Sequence, residues 1–150
     1  MRAVVQRVTG ASVTVKGEKV GSIDLGLLVY LGVQQDDSEA DLEYLVRKIP
    51  QLRIFTDEQG KMNRSVGQVD GQMLVVSQFT LCADLNKGNR PSFNPAADPE
   101  TALATYEKFV QAVREQGYTV ETGEFGASMR VAYTNEGPVT LIIDTREILK

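Results

Sequence analysis

Four residues at the end of an apolar run, Ser77-Gln78-Phe79-Thr80, put two hydroxyls and an amide where a buried stretch gives way to a polar loop. Hydroxyls and backbone N–H groups at such a place suit stabilisation of a developing oxyanion. The same hydroxyls also serve to satisfy local backbone groups, so the pattern alone leaves both uses open. A second stretch, Asn86-Lys87-Gly88-Asn89-Arg90-Pro91-Ser92-Phe93, joins exposed backbone to two cations and suits contact with a phosphate or a plain solvated loop. It lacks the spacing of a Walker loop. A third, Phe125-Gly126-Ala127-Ser128-Met129, sets an aromatic ring and a thioether four residues apart. Such a pair either sandwiches a nucleobase or belongs to the core. A fourth, Asn135-Glu136-Gly137-Pro138-Val139-Thr140, places Gly-Pro directly ahead of an apolar run. Proline lacks an amide hydrogen, so the pair reads either as a turn that launches a strand or as a rigid backbone fixture at a ligand.

What is missing narrows the chemistry. The chain has no histidine, so neither a Ser-His-Asp triad nor a His-ligated zinc site can be built. Its carboxylates are scattered over turns and helix faces, with no catalytic acid pair among them. Any catalysis must use carboxylates, hydroxyls, lysine, backbone amides or the substrate itself. No metal or other cofactor is expected. The single cysteine, Cys82, cannot form an internal disulfide and has no basic partner nearby in sequence, so a buried, inert thiol in a reducing compartment is expected. The net charge of −4 opposes broad binding to nucleic acid, which depends on neutralising many phosphates, but it allows a local grip on an RNA end. No apolar run reaches membrane-spanning length. The opening Met1-Arg2-Ala3-Val4-Val5-Gln6-Arg7 carries no long apolar segment after its first charge, so a cytoplasmic location without membrane contact is expected.

The elements that must position these residues follow from periodicity. At 150 residues one domain, 1–150, with a sizeable core is expected. Val4–Val8 and the alternating Ser12–Lys16 read as strands, with Lys16-Gly17-Glu18-Lys19 as a hairpin turn. Leu27–Leu31 and Met73–Val76 are continuous and apolar, as in strands buried on both faces. Leu52–Phe55, Thr119–Glu121, Met129–Thr134 and Val139–Asp144 are further strand candidates. Ser38 with Asp41 resembles a capping box, and Leu42, Leu45, Val46 and Ile49 form one helical stripe that Pro50 ends. Asp98-Pro99 opens a second helix whose buried face is Leu103, Tyr106, Val110 and Val113, and Gly117 stops it. Many strands and two amphipathic helices predict a mixed, largely antiparallel α/β fold. The expected arrangement is a three-layer β/β/α sandwich with both helices on one face.

Taken in order, Ser77-Gln78-Phe79-Thr80-Leu81, Gly88-Asn89-Arg90-Pro91-Ser92-Phe93 and Asn135-Glu136-Gly137-Pro138-Val139-Thr140 resemble the D-aminoacyl-tRNA deacylases. So do the opening MRAVVQRVTGASVTV and Gly60-Lys61-Met62-Asn63, and the similarity spans essentially the whole chain. The resemblance implies a homodimeric carboxylic ester hydrolase that removes D-amino acids, and glycine, from the 3′ end of tRNA. It implies a cis Gly137-Pro138 bond that reaches into the partner's pocket. There, with Val139 and Thr140 beside it, the pair holds the amino group and bars an L side chain. It implies backbone oxyanion donors near Phe79 and Thr80, a pocket shaped by Ser77 and Gln78, and assistance from the substrate's 2′-OH. Phe125 and Met129 match positions that cradle the terminal adenine, and Arg7 matches a residue beside the Gly-Pro loop. Cys82 stands where the family commonly has Tyr, and Ser128 where it has Asp; Arg64 and Asp84-Leu85-Asn86 also depart from its pattern. Two rivals are a related deacylase of L-alanyl-mischarged tRNA, which the intact Ser77–Thr80 stretch opposes, and a non-catalytic RNA-binding module.

Overall fold

The computed structural model describes residues 1–149. Two long strands, β1 (Arg2–Val15) and β2 (Glu18–Gly32), form an antiparallel hairpin across the two-residue turn Lys16-Gly17. The remaining strands are β3 (Phe55–Thr56), β4 (Met62–Arg64), β5 (Gln72–Ser77), β6 (Val120–Thr122) and β7 (Arg130–Asp144). Five of them make one mixed sheet in the order β6-β5-β2-β1-β7, while β3 and β4 pair apart from it. β1 is antiparallel to both β2 and β7, and β5 is parallel to β2 and β6.

The helices are α1 (Glu39–Lys48), α2 (Pro99–Glu115) and a short α3 (Thr145–Leu149). At α1 the expected box forms: Asp41 Oδ2 accepts from both the amide and the hydroxyl of Ser38, each at 2.8 Å. At α2 the Asp98 carboxylate accepts from the Thr101 amide at 3.0 Å, which satisfies one of the free donors of the first turn. The buried face of α2 is Ala102, Tyr106, Phe109, Val110 and Val113, while Leu103 is only half-buried.

Alternation along the strands sends side chains to two faces, and each face has its own core. Val5, Leu27, Val29, Leu31, Met73 and Val75 meet Leu42 and Leu45 of α1, Ile49 just past its end, and Tyr106, Phe109 and Val113 of α2. On the other face Leu28, Leu74 and Val76 meet Val8, Val13 and Ile23, which come from the outer part of the β1–β2 hairpin. That hairpin folds over the sheet to make the second β layer. Its approach is so close that a Cβ on Gly21 would lie 2.2 Å from the Thr122 carbonyl oxygen. The β/β/α layering with both long helices on one face is therefore present, and its two β layers belong to one sheet.

One expected boundary is absent. Residues 130–134 and 139–144 are not separate strands, because β7 runs through Gly137-Pro138. Pairing with β1 passes from Thr140 opposite Gln6 to Asn135 opposite Val8, so residues 136–139 bulge out across from Arg7. Proline is tolerated there because β7 is an edge strand and the bulge needs no ladder bond from it.

A cluster of polar groups ties the chain's ends to α1. The Met1 ammonium donates to Asp37 Oδ1 and Thr145 Oγ1, both at 2.7 Å, and lies 3.9 Å from Asp41 Oδ1. Burial alone would raise the Asp41 carboxyl. Hydrogen bonds from Thr145 and Ser38, with the ammonium, outweigh it and hold the group well below the usual carboxylate range.

Candidate active site

β5 delivers Ser77 to the sheet's upper end, and the chain then tightens into a 3₁₀ turn, Phe79–Cys82. Tyr106 of α2 donates its hydroxyl to the Val75 carbonyl at 2.7 Å, which straps the helix to β5 just before Ser77. Burial pushes that phenol up to about 12, so it stays a donor. Between these elements lies a cleft of about 500 Å³. Its walls are Val33, Val76, Ser77, Gln78 and Phe79 on the sheet side, and Phe93, Ala96, Ala97, Pro99 and Ala102 from the loop and α2. Phe125, Gly126, Ala127, Met129 and Val131 close the third side.

Three of the four stretches singled out in the sequence meet around this cleft or beside it. Ser77, Gln78, Phe79, Phe125 and Met129 line it together. Phe93 packs edge-on against Phe79, with centroids 5.1 Å apart, and so holds the 86–93 loop to the turn. The loop's neck is closed by paired bonds between Asp84 and Ser92 at 2.7 and 3.0 Å. Thr80 is exposed beside the cleft without lining it, and its hydroxyl accepts from the Gln78 side-chain amide. Cys82 is buried, and burial pushes its thiol up, away from nucleophilic use.

Electrostatically the cleft is bare. Among the described residues its lining includes no acid, lysine or arginine, and Ser77 and Gln78 supply its polar side chains. No cluster of His, Cys, Asp or Glu suited to a metal ion occurs among the described residues. What such a site can do is bind an apolar or aromatic group and orient a reacting bond against fixed dipoles.

The Gly-Pro stretch lies elsewhere in the same chain. Gly137-Pro138 is cis and both residues are exposed. Arg7 holds the bulge from beneath: its Nε donates to the Glu136 carbonyl at 3.1 Å and its Nη1 to the Ile54 carbonyl at 2.8 Å. Gly137 has φ +133°, and a Cβ there would lie 2.8 Å from Val139 Cγ2 and 3.0 Å from Arg7 Nη2. Val139 turns into the helix-side core, while Thr140 is exposed and its hydroxyl accepts from the Gln6 side-chain Nε2 at 3.0 Å. Asn135 is a functional candidate not singled out from sequence. Its side-chain amide donates to the Arg7 and Val139 carbonyls, at 3.2 and 3.0 Å, and draws the neck of the bulge together. Its only signal was its place at the head of the motif. Ala97 and Ala102 are lining residues whose types gave no chemical signal at all.

Comparison with known proteins places these features in a family. The family model described as D-Tyr-tRNA(Tyr) deacylase matches residues 4–144. A protein of Thermus aquaticus named D-aminoacyl-tRNA deacylase is 58% identical over 147 residues, 98% of this chain and 97% of the relative. One of the same name from Thermosipho africanus is 53% identical over 148 residues, 99% of each. Among solved structures, the c-Myc DNA unwinding element binding protein superposes with a TM-score of 0.91 at 44% identity, covering 96% of this chain and 98% of that one. A probable eukaryotic D-amino acid tRNA deacylase shares the fold, with a TM-score of 0.79 at 20% identity over 95% of this chain and 97% of that one. No helix among the described residues is long and apolar enough to cross a membrane.

Proposed function

The chain belongs to the D-Tyr-tRNA(Tyr) deacylase family, and from that premise we propose that it hydrolyses the ester between a D-amino acid and the 3′ end of tRNA. The carrying observation is the cleft that unites Ser77, Gln78, Phe79, Phe125 and Met129 without one ionisable side chain. An aminoacyl ester is already activated, so orientation and fixed dipoles are enough to speed its hydrolysis.

In this reading the terminal adenine lies between Phe125 and Met129, and the ester carbonyl faces the turn after Gln78. Water adds to the carbonyl carbon and the oxyanion is met by backbone N–H groups of Phe79 and Thr80. The first N–H groups of such a turn have no partner within it, which makes them free to donate. The bond from the carbonyl carbon to the ribose oxygen then breaks. That oxygen leaves with a proton, assisted by the neighbouring 2′-OH, and a free D-amino acid and tRNA result. The Thr80 hydroxyl has no base beside it and takes no covalent role.

Handedness is imposed by Gly137-Pro138. The pair projects from its own chain and does not line its own cleft, which supports a homodimer in which each bulge enters the cleft of the partner subunit. Backbone carbonyls there hold the substrate's amino group and leave no room for an L side chain. Such a gate rejects by exclusion whatever the side chain, and so admits many D-amino acids and glycine.

Deacylation of D-Tyr-tRNA and L-Tyr-tRNA, compared with a chelator present, tests this. Rapid loss of the D ester with the L ester spared is expected. Equal rates for the two hands remove the gate, and tRNA binding without turnover replaces the enzyme with a binding module.

A further inference from the structure

The turn Phe79–Cys82 is held at two places. At its start the Gln78 amide donates to the Leu31 carbonyl at 2.8 Å. Gly32, next along β2, lets it come close: a Cβ there would lie 3.0 Å from the Gln78 oxygen and 3.1 Å from Cys82 Sγ. At its end the holding group is Arg2, the first residue of β1. Arg2 Nη1 donates to the Leu81 carbonyl at 2.9 Å, and its Nε donates to Asp144 Oδ2 at 2.7 Å. The Asp144 carboxylate is itself aimed, because its other oxygen accepts from the Arg146 amide at 3.0 Å. Between the two holds, Phe79 and Thr80 are exposed; Phe79 meets the ring of Phe93, and the Thr80 hydroxyl accepts from the Gln78 side chain.

A planar guanidinium with a fork of fixed donors can join a carbonyl and a carboxylate at set angles, which an ammonium on a flexible stem cannot. We propose that Arg2 is a positioning residue for the reaction. It sets the turn that presents Phe79 and Thr80, and it locks that turn to the C-terminal end of β7, the strand carrying Gly137-Pro138. The catalytic consequence rests on the deacylase reading above; the hold on the turn does not. Each protomer's turn and the bulge it offers outward thus share one mechanical link. Cys82 is buried and its thiol meets the Val33 carbonyl at 3.5 Å, contacts that do not involve Arg2, so removing the guanidinium is expected to loosen the carbonyl end of the turn while the fold is kept.

The experiment compares Arg2→Met, Arg2→Lys, Asp144→Asn and Arg2→Met/Asp144→Asn with the unaltered full chain. Hydrogen exchange at the Leu81 and Ala83 amides is followed beside kcat and KM for D-Tyr-tRNA. Arg2→Met is expected to speed exchange and to lower kcat about tenfold, with KM within about twofold, because loosened geometry costs rate before it costs binding. Arg2→Lys recovers only part of the rate. Asp144→Asn falls between, and the double variant is no worse than Arg2→Met, since both changes cut one link. Unchanged exchange and kcat in Arg2→Met overturn the proposal. So does a kcat loss that disappears when the assay is cooled below the variant's unfolding range. If the unaltered chain spares D-Tyr-tRNA, the deacylase reading fails by itself, and the exchange data still decide whether Arg2 holds the turn.

Discussion

The cleft and the Gly137-Pro138 bulge are built by opposite means. The cleft is a matter of side chains: four separate parts of the chain contribute apolar groups, and its shape depends on how they pack. The bulge is a matter of backbone: four residues, 136–139, leave the ladder with β1, three of them exposed, and are held at the neck by Arg7 and Asn135. A side-chain cavity adapts when one group changes. A backbone projection at φ +133° with no room for a Cβ does not. Under the proposed function, binding and chemistry would fall to the adaptable region and handedness to the rigid one.

The sharpest way to break this division is at the bulge. Replacing Gly137-Pro138 with Ala-Ala puts a Cβ against Val139 and Arg7 and should lower the D-to-L rate ratio by on the order of 100-fold. Parallel time courses on the two tyrosyl esters measure it, and an unchanged ratio would merge the two regions into one. A smaller effect of a different kind is expected in the cleft. Phe125→Ala removes a ring from its wall, and KM for D-Tyr-tRNA should rise roughly tenfold, the range of one lost base stack, with the D-to-L ratio kept. A fallen ratio there would show that chirality is read by the side chains as well.

The smallest effect on chemistry is expected from Asp41→Asn, far from both regions. The D-to-L ratio should not move, while stability falls by about 3 kcal/mol, because the buried Met1 ammonium loses a compensating charge. The folded-state pKa of Asp41 is depressed, so its contribution is present above the ordinary carboxylate pKa of about 4. It is lost as pH falls from there through the folded value. Denaturation followed from pH 6 downward should show a shallower acid loss in Asp41→Asn than in the unaltered chain.

Much of this was legible in particular residues. Asp98-Pro99 and Gly117 mark the ends of α2 because capping chemistry is local. The Ser77–Phe79 stretch, Phe125 and Met129 do share one cleft. What stayed hidden depended on distant partners. β3 and β4 are two and three residues long, too short for any period to register. Asp41 reads as a helix cap, and nothing in its neighbourhood announces Met1 or Thr145 across the fold. Pro138 reads as the start of a strand, and only the sheet order, with β7 at the edge, explains why one strand continues through it. Arg2 carries no motif; its role needs the register that brings Gly32, Asp144 and Leu81 to it.

The bulge also acts as a ruler. Strand pairing repeats every two residues, so a slip of β7 by one place along β1 would still satisfy most backbone groups. It would also turn Val139 and Ile143 outward and bring Ile142, now 77% exposed, toward the helices. The four residues that face Arg7 alone, a surplus of three, fall between the Gln6 and Val8 pairings. The same fixture that would judge the hand of a substrate thus keeps the last strand from docking out of step.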